Sequence, residues 1–189
     1  MAMVLIMVVS ELSLQAQDET CGRLLDSGTA FALRFLREQN AARTSPCISE
    51  VIMTLGRARI KSAVPELVLY LDYKDPKTGA GPDGGGTTMP IYPAAEALFD
   101  IGKPATQEVM QAIEAAGSMV ARRNAITAFH NIYRDDLVDG IRLLRKQAES
   151  CTTTSGRNGL ATGISRLLED CLSRGGQGAA ACRAAAQTL

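Results

Sequence analysis

Residues 135–150 read DDLVDGIRLLRKQAES, a segment whose apolar side chains recur at helical intervals. Leu137, Ile141, Leu144 and Ala148 follow one another at steps of four, three and four, which places them on one face of a helix. Two acidic residues open the segment and three basic ones lie nearer its end, the order that the helix dipole favours. The segment therefore predicts an amphipathic helix.

A second helix precedes this segment closely enough to predict a helical hairpin. Residues 119–133 carry apolar side chains at helical spacing, and only the short link 133–134 separates the two patterns. The same arrangement of two short helices recurs in residues 94–115 and 48–70. Each helix has one apolar face, so the hairpins must stack to cover it.

The second helices of the three hairpins align on Ala63, Ala105 and Leu137, which are 42 and 32 residues apart. The longer interval contains an insertion at 74–90, KDPKTGAGPDGGGTTMP, whose glycines and prolines do not sustain a helix. We expect a solvated surface loop there.

The regions on both sides of the repeats predict capping elements. Residues 18–46 contain a helical pattern suited to an N-terminal cap, and residues 151–189 predict a C-terminal helical hairpin. Within the latter we expect a polar connector at 152–159 and a glycine turn at 175–178. The expected fold class is all-α, an α-α superhelix of helical repeats over 47–150 with flanking helices.

Composition and charge exclude several classes of function. Aromatic residues make up only 4% of the chain and Trp is absent, which favours close helix packing over a strand-rich sandwich. Twenty Lys and Arg residues balance twenty Asp and Glu residues, so no net charge draws the chain to nucleic acid or to an anionic membrane. We expect a protein partner and no nucleic acid.

The apolar run AMVLIMVV at residues 2–9 is too short to span a bilayer, so we expect no stable membrane span. Residues 1–17 resemble a secretory signal with cleavage after Ala16, although no basic residue precedes the run. Alternatively, they form an apolar segment that packs against the repeats. The first interpretation implies a periplasmic or secreted protein, and the second a cytoplasmic one.

Sequence patterns that could indicate catalysis, cofactor binding or metal binding are not supported by the residues around them. Residues 79–84 match GxGxxG, but 85–90 continue with glycines and a proline rather than the helix that a phosphate-binding turn needs. No cysteine pair has CxxC spacing, and the lone His130 does not complete a zinc set. No nucleophile can be paired with His130 from sequence. We therefore expect no catalytic, cofactor-binding or metal site.

Two of the five cysteines are placed symmetrically about the predicted turn at 175–178. Cys171 lies four residues before the turn and Cys182 four residues after it. Antiparallel helices joined there would bring the two to the same level, so we expect them to form a disulfide if the protein is exported. Cys21 and Cys47 lack this symmetry.

Several segments resemble HEAT repeats, especially the short bacterial form related to phycobilisome-lyase repeats. They are Leu55-Gly56 before AVPEL at 63–67, AEALFDIGKPA at 95–105, and VARRNA at 120–125. The resemblance implies a curved stack whose second helices line the concave side. It identifies architecture better than activity.

The expected function is that of a noncatalytic interaction module, since stacked hairpins present an extended surface without a reactive centre. The alternatives are an enzyme accessory resembling phycobilisome-lyase-type HEAT proteins and a fragment of a longer array. We expect the partner surface on the second helices, running from acidic (Glu66, Glu108) to basic, unless neighbouring helices cover its leucines. The predicted partner-binding residues are Leu69, Gln111, Arg142, Leu143, Arg145 and Lys146.

Overall fold

The computed structural model of the protein describes residues 21–22, 26–76 and 91–187. Over these ranges the chain forms α-helices joined by short turns and contains no strand, so the expected all-α class is confirmed. In chain order the helices are α1 (Thr29–Gln39), α2 (Ile48–Arg57), α3 (Val64–Val68), α4 (Pro93–Ile101), α5 (Thr106–Ala115), α6 (Met119–Ile132), α7 (Leu137–Ser150), α8 (Thr154–Arg174) and α9 (Gly176–Ala186). Two short 3₁₀ turns, Lys61–Ala63 and Lys103–Ala105, lead into α3 and α5.

The turn between α4 and α5 shows how the hairpins are closed. Gly102 ends α4 with φ 78°, in the left-handed region that glycine enters without a side-chain penalty. Pro104 follows at the start of the 3₁₀ turn, where its missing N–H costs no hydrogen bond. The sequence Gly-Lys-Pro thus reverses the chain between the two helices.

Helices of successive hairpins pack on one another. Helix α2 packs on α4 and α4 on α6, while α3 contacts α5. The α2–α4 crossing is close because Gly56 has no side chain: a Cβ there would lie 2.5 Å from the Cα of Ala97. The predicted inward positions Ala63, Ala105 and Leu137 are all buried. The apolar faces of the helices form one continuous core that extends from α1 to α9.

The polar connector expected at 152–159 is wrong, because α8 already begins at Thr154. The hydroxyl Oγ1 of Thr153 accepts a hydrogen bond from the backbone N–H of Gly156 at 3.0 Å and caps the helix. The glycines of this segment serve close packing: a Cβ on Gly159 would lie 2.7 Å from the carbonyl oxygen of Ile113. The glycine turn is also shorter than expected, since only Gly175, at φ 69°, separates α8 from α9.

The predicted insertion at 74–90 lies mostly outside the described residues, as do residues 1–17. Its described start departs from the expected solvated loop, because Asp75 is only 1% exposed. The backbone N–H of Asp75 donates to the carbonyl oxygen of Ile91 at 3.0 Å. This contact joins the two ends of the insertion.

Two disulfides cross-link the described residues. Cys171 on α8 is bonded to Cys182 on α9, with Cα atoms 6.5 Å apart. Cys21 is bonded to Cys47, with a Cα separation of 5.3 Å, a pair that the symmetry of the sequence did not indicate. Their proximity depends on how the chain before α1 returns to the start of α2, which no local spacing reveals.

Across the described ranges, no helix combines the length and the apolar character needed to cross a bilayer.

Candidate binding groove

A groove of about 680 Å³ lies between the C-terminal end of α3, the outer face of α5 and the start of α6. Val68, Leu69, Ala112 and Ala115 give it an apolar surface, and Gln111 lies at its edge. Two of the predicted partner-binding residues, Leu69 and Gln111, therefore line one concave site.

Leu69 is the large apolar side chain that this groove exposes. Helix α3 is short. Leu67 and Tyr70, which lie close to Leu69 in the sequence, both point into the core. At helical spacing a residue between these two faces outward, and 50% of Leu69 is exposed to solvent. The alternative that neighbouring helices cover Leu69 is therefore wrong.

Arg43 holds one wall of the groove in place. Its Nη1 lies 2.6 Å from Oδ1 of Asp72, and its Nη2 donates to the carbonyl oxygen of Leu69 at 2.7 Å. Its Nε donates to the carbonyl oxygen of Asn40 at 3.1 Å, and the guanidinium lies 5.1 Å from the centre of the Tyr70 ring. A cationic side chain thus satisfies a carbonyl at the end of α3, where the helix itself offers no partner.

Sequence reasoning did not find Arg43. Its groove partners Leu69 and Asp72 lie 26 and 29 residues further along the chain, and it stands outside every recognisable helical pattern. The backbone of Arg43 is also unusual, because its φ of 50° is uncommon for a residue with a side chain. This feature cannot be read from the sequence.

Tyr70 forms the buried base beneath Arg43. Its hydroxyl donates to the carbonyl oxygen of Leu36 at 2.6 Å, which ties α1 to the end of α3. Burial raises the pKa of Tyr70 to about 12, and the nearby charge of Arg43 only partly opposes this rise. The hydroxyl therefore stays protonated, and remains a donor, throughout the neutral range.

The acidic residues around the groove are only partly those expected. Glu66 is buried and pairs with Arg37 of α1, so it does not contribute to the exposed surface. Glu108 lines the groove as expected, and the other acidic residue there is Asp72, which is neutralised by Arg43. The groove is therefore mainly apolar, with Glu108 at its edge.

The basic residues predicted for the partner surface lie on α7, away from the groove. Arg142 and Lys146 are exposed, but Leu143 packs partly against the core. Arg145 is not on a solvated face: its side chain is 17% exposed, and its Nη1 donates to the carbonyl oxygen of Ala185 at 3.0 Å. The structure thus separates these four residues from Leu69 and Gln111, and it gives Arg145 a contact to α9.

His130 belongs to a hydrogen-bonded cluster between α6 and α8. Its Nε2 lies 2.9 Å from Oδ2 of Asp170, and Arg174 contacts the same oxygen at 2.7 Å. Arg174 chiefly, with help from His130, lowers the pKa of the Asp170 carboxyl. The cluster joins two helices. Within the described part of the chain, His, Cys, Asp and Glu side chains form no group of three or more that could hold a metal ion.

Comparisons with known proteins give no relative. No protein-family model matches the chain, and no curated protein and no solved structure matches it at a significant level.

Proposed function

We propose that this chain is a noncatalytic helical-repeat protein of HEAT-like architecture that binds a protein partner through the groove between α3 and α5. The observation that carries the proposal is the half-exposed Leu69 in a concave apolar site whose wall is held by Arg43. A concave apolar surface rimmed by a few polar residues is typical of interaction sites.

Repetition of local geometry supports the HEAT-like architecture. The 3₁₀ turns Lys61–Ala63 and Lys103–Ala105 begin 42 residues apart (103 − 61 = 42), the interval that separates the first two aligned repeats. The residues that follow them, Val64 and Thr106, have the same backbone angles, φ −53° and ψ −47°. Two hairpins thus enter their second helix in the same way.

Side-chain contacts between α5 and α7 extend this regularity to the third hairpin. Lys103, just before α5, lies 3.0 Å from Asp136, just before α7. Gln147 near the end of α7 donates to Glu114 near the end of α5 at 2.7 Å. Both pairs are 33 residues apart in sequence, so the two helices run side by side in the same direction. Parallel second helices are what a helical-repeat stack requires.

The groove's chemistry indicates the kind of partner. Its surface is mainly apolar, and the ion pair of Arg43 with Asp72 at its wall is internally neutral. Such a site favours a protein segment that inserts one large apolar side chain and places polar groups against Gln111 and Glu108. Electrostatic steering would contribute little to its association.

Affinity capture with matched variants tests this proposal. Leu69→Asp places a charge in the groove, and we expect at least about a 30-fold loss of affinity for a captured partner, the size typical of a central contact. Ile91→Asp is the control, because Ile91 is 53% exposed but does not line the groove. Helical content by circular dichroism checks that both variants fold. A partner that binds Leu69→Asp as tightly as the unchanged protein would exclude this groove.

We also propose that the protein works in an oxidising compartment, periplasmic or extracellular. Two disulfides in a small domain are rare in the reducing cytosol. In this protein one disulfide joins α8 to α9, and the other joins Cys21 to the start of α2. Mass spectrometry of unreduced protein from its native source should find Cys151 as the free thiol. Finding all five thiols free would place the protein in a reducing compartment.

A further inference from the structure

A second cavity, of about 410 Å³, lies between the first turns of α6 and residues 158–166 of α8. It shares no lining residue with the α3–α5 groove. Its apolar surface comes from Met119, Val120 and Ile126. Met119 is 86% exposed, the most exposed of the large apolar side chains that the structure describes, and it stands at the rim of this cavity.

The charged residues that line this cavity all carry the same sign. Arg122, Arg123 and Arg166 face it, and no carboxylate belongs to its described lining. Among the residues that the structure describes, no Asp or Glu forms an ion pair with any of the three, and Arg123 instead lies 6.0 Å from the ring centre of Tyr92. Three arginines without counter-charges around an apolar cavity favour an anion over a cation or a neutral solute.

Arg122 is held in position by the backbone beneath it. Its Nε donates to the carbonyl oxygen of Ile113 at 3.0 Å, and its Nη2 donates to that of Ala116 at 3.3 Å. Gly159 of α8 makes room for this arrangement, because a Cβ there would lie 2.9 Å from Cδ of Arg122. The guanidinium keeps further N–H groups beyond the two that these carbonyls use. It is a pre-positioned donor rather than a freely moving surface arginine.

We propose that this cavity binds a small organic anion with an apolar part. The apolar part lies against Met119, Val120 and Ile126, and the acidic group is held by Arg122, Arg123 and Arg166. The site is independent of the protein-binding function proposed above, since the two cavities have separate linings. Carboxylate, sulfonate and phosphate groups all match the fork of donors that an arginine presents.

Binding of dodecanoate tests the proposal, with dodecanol and acetate as matched probes that keep only the apolar or only the anionic part. The readout is the methyl resonance of Met119 in protein labelled with ¹³C at the methionine methyl groups. We expect dodecanoate, below its micelle concentration, to shift this resonance saturably, and both dodecanol and acetate to bind at least about tenfold more weakly. Equal binding of dodecanol, or no saturable shift of Met119 with dodecanoate, would overturn the proposal.

Arginine variants test where on the protein the anion binds. The double change Arg123→Gln and Arg166→Gln should weaken dodecanoate binding by about tenfold or more, because hydrogen bonds to charged groups are the strong ones. Arg34→Gln with Arg57→Gln removes the same charge from exposed positions outside the cavity and should leave binding unchanged. If both double variants weaken binding equally, the effect is one of net charge and the assigned site is wrong.

Discussion

The side-chain amide of Asn124 donates a hydrogen bond to the backbone carbonyl of Leu71 at 2.7 Å, across 53 residues of sequence. Both residues are buried. The carbonyl lies just beyond the end of α3, where a helix leaves its last acceptors without backbone partners. Asn124 of α6 therefore fastens the segment after α3, which lines the α3–α5 groove at Leu71, to the third hairpin.

Loss of this hydrogen bond should destabilise the protein. Asn124→Leu keeps the approximate size of the side chain but leaves the Leu71 carbonyl buried without its donor, which costs about 1–3 kcal/mol. Urea denaturation measures the free energy of unfolding. Thr127→Ala is the control, because the Thr127 hydroxyl bonds only to its own helix, at an exposed position. An Asn124→Leu variant no less stable than Thr127→Ala would show that the contact contributes nothing net.

Two glycines should respond to alanine with opposite signs. At Gly159 a Cβ would lie 2.7 Å from a backbone oxygen of α5, so Gly159→Ala should separate α5 from α8 and lower stability by about 1–3 kcal/mol. At Gly178, inside α9, nothing lies within 4 Å of the added Cβ. Gly178→Ala should therefore raise stability by up to about 1 kcal/mol through helix propensity. Thermal unfolding of both variants checks the signs, and equal shifts would contradict the close approach.

Arg142 and Arg145 should differ in their effect on folding, which corrects the expectation that both lie on a solvated face. Arg145→Glu places a carboxylate against the Ala185 carbonyl, and we expect a loss of about 1–3 kcal/mol. Arg142→Glu breaks only an exposed pair with Asp139, worth less than about 1 kcal/mol. The denaturation midpoints of the two single variants measure these two losses of stability. A smaller loss for Arg145→Glu than for Arg142→Glu would contradict the α7–α9 contact.

Tyr70 should make stability depend on pH in the alkaline range. Its pKa is raised by burial to about 12 in the folded protein, against 10.0 for an ordinary tyrosine. The contribution of a group with a raised folded pKa is fully present below its unfolded pKa, so it should be lost between about pH 10 and 12. A shift of this size corresponds to about 2–3 kcal/mol at most. Urea midpoints from pH 8 to 11.5 should fall less steeply for Tyr70→Phe than for the unchanged protein. Parallel slopes would exclude Tyr70 as the titrating group.

Helix type and helix face could be predicted because both are local properties. The steps of three and four residues in 135–150 predict a helix and the side of it that is buried, and Leu137, Ile141 and Leu144 are indeed in the core. The same reasoning predicted the hairpin over 94–115, since Gly102 and Pro104 restrict the backbone at their own positions. The superhelical arrangement of the hairpins stays a prediction.

Glycine shows where local reading of the sequence fails. A glycine permits a turn and also permits two helices to approach, and the sequence 152–159 does not distinguish these uses. The structure places Gly156 and Gly159 against side chains and backbone of other segments, so this stretch is helix. Whether a glycine serves a turn or a close helix contact depends on which segment lies opposite it. That is decided only when α8 packs on α5 and α7.

The sequence by itself determined the helices of the hairpins over 48–150 and most of the residues on them that point inward, because those properties follow from neighbours within a few positions. Only the tertiary structure decided that Leu69 stays exposed and that Arg43 supports it. It also decided that Arg145 contacts α9 and that Cys21 meets Cys47. These contacts join residues between 26 and 40 positions apart. Their geometry is fixed by how whole helices pack, and no pattern of neighbouring side chains encodes it.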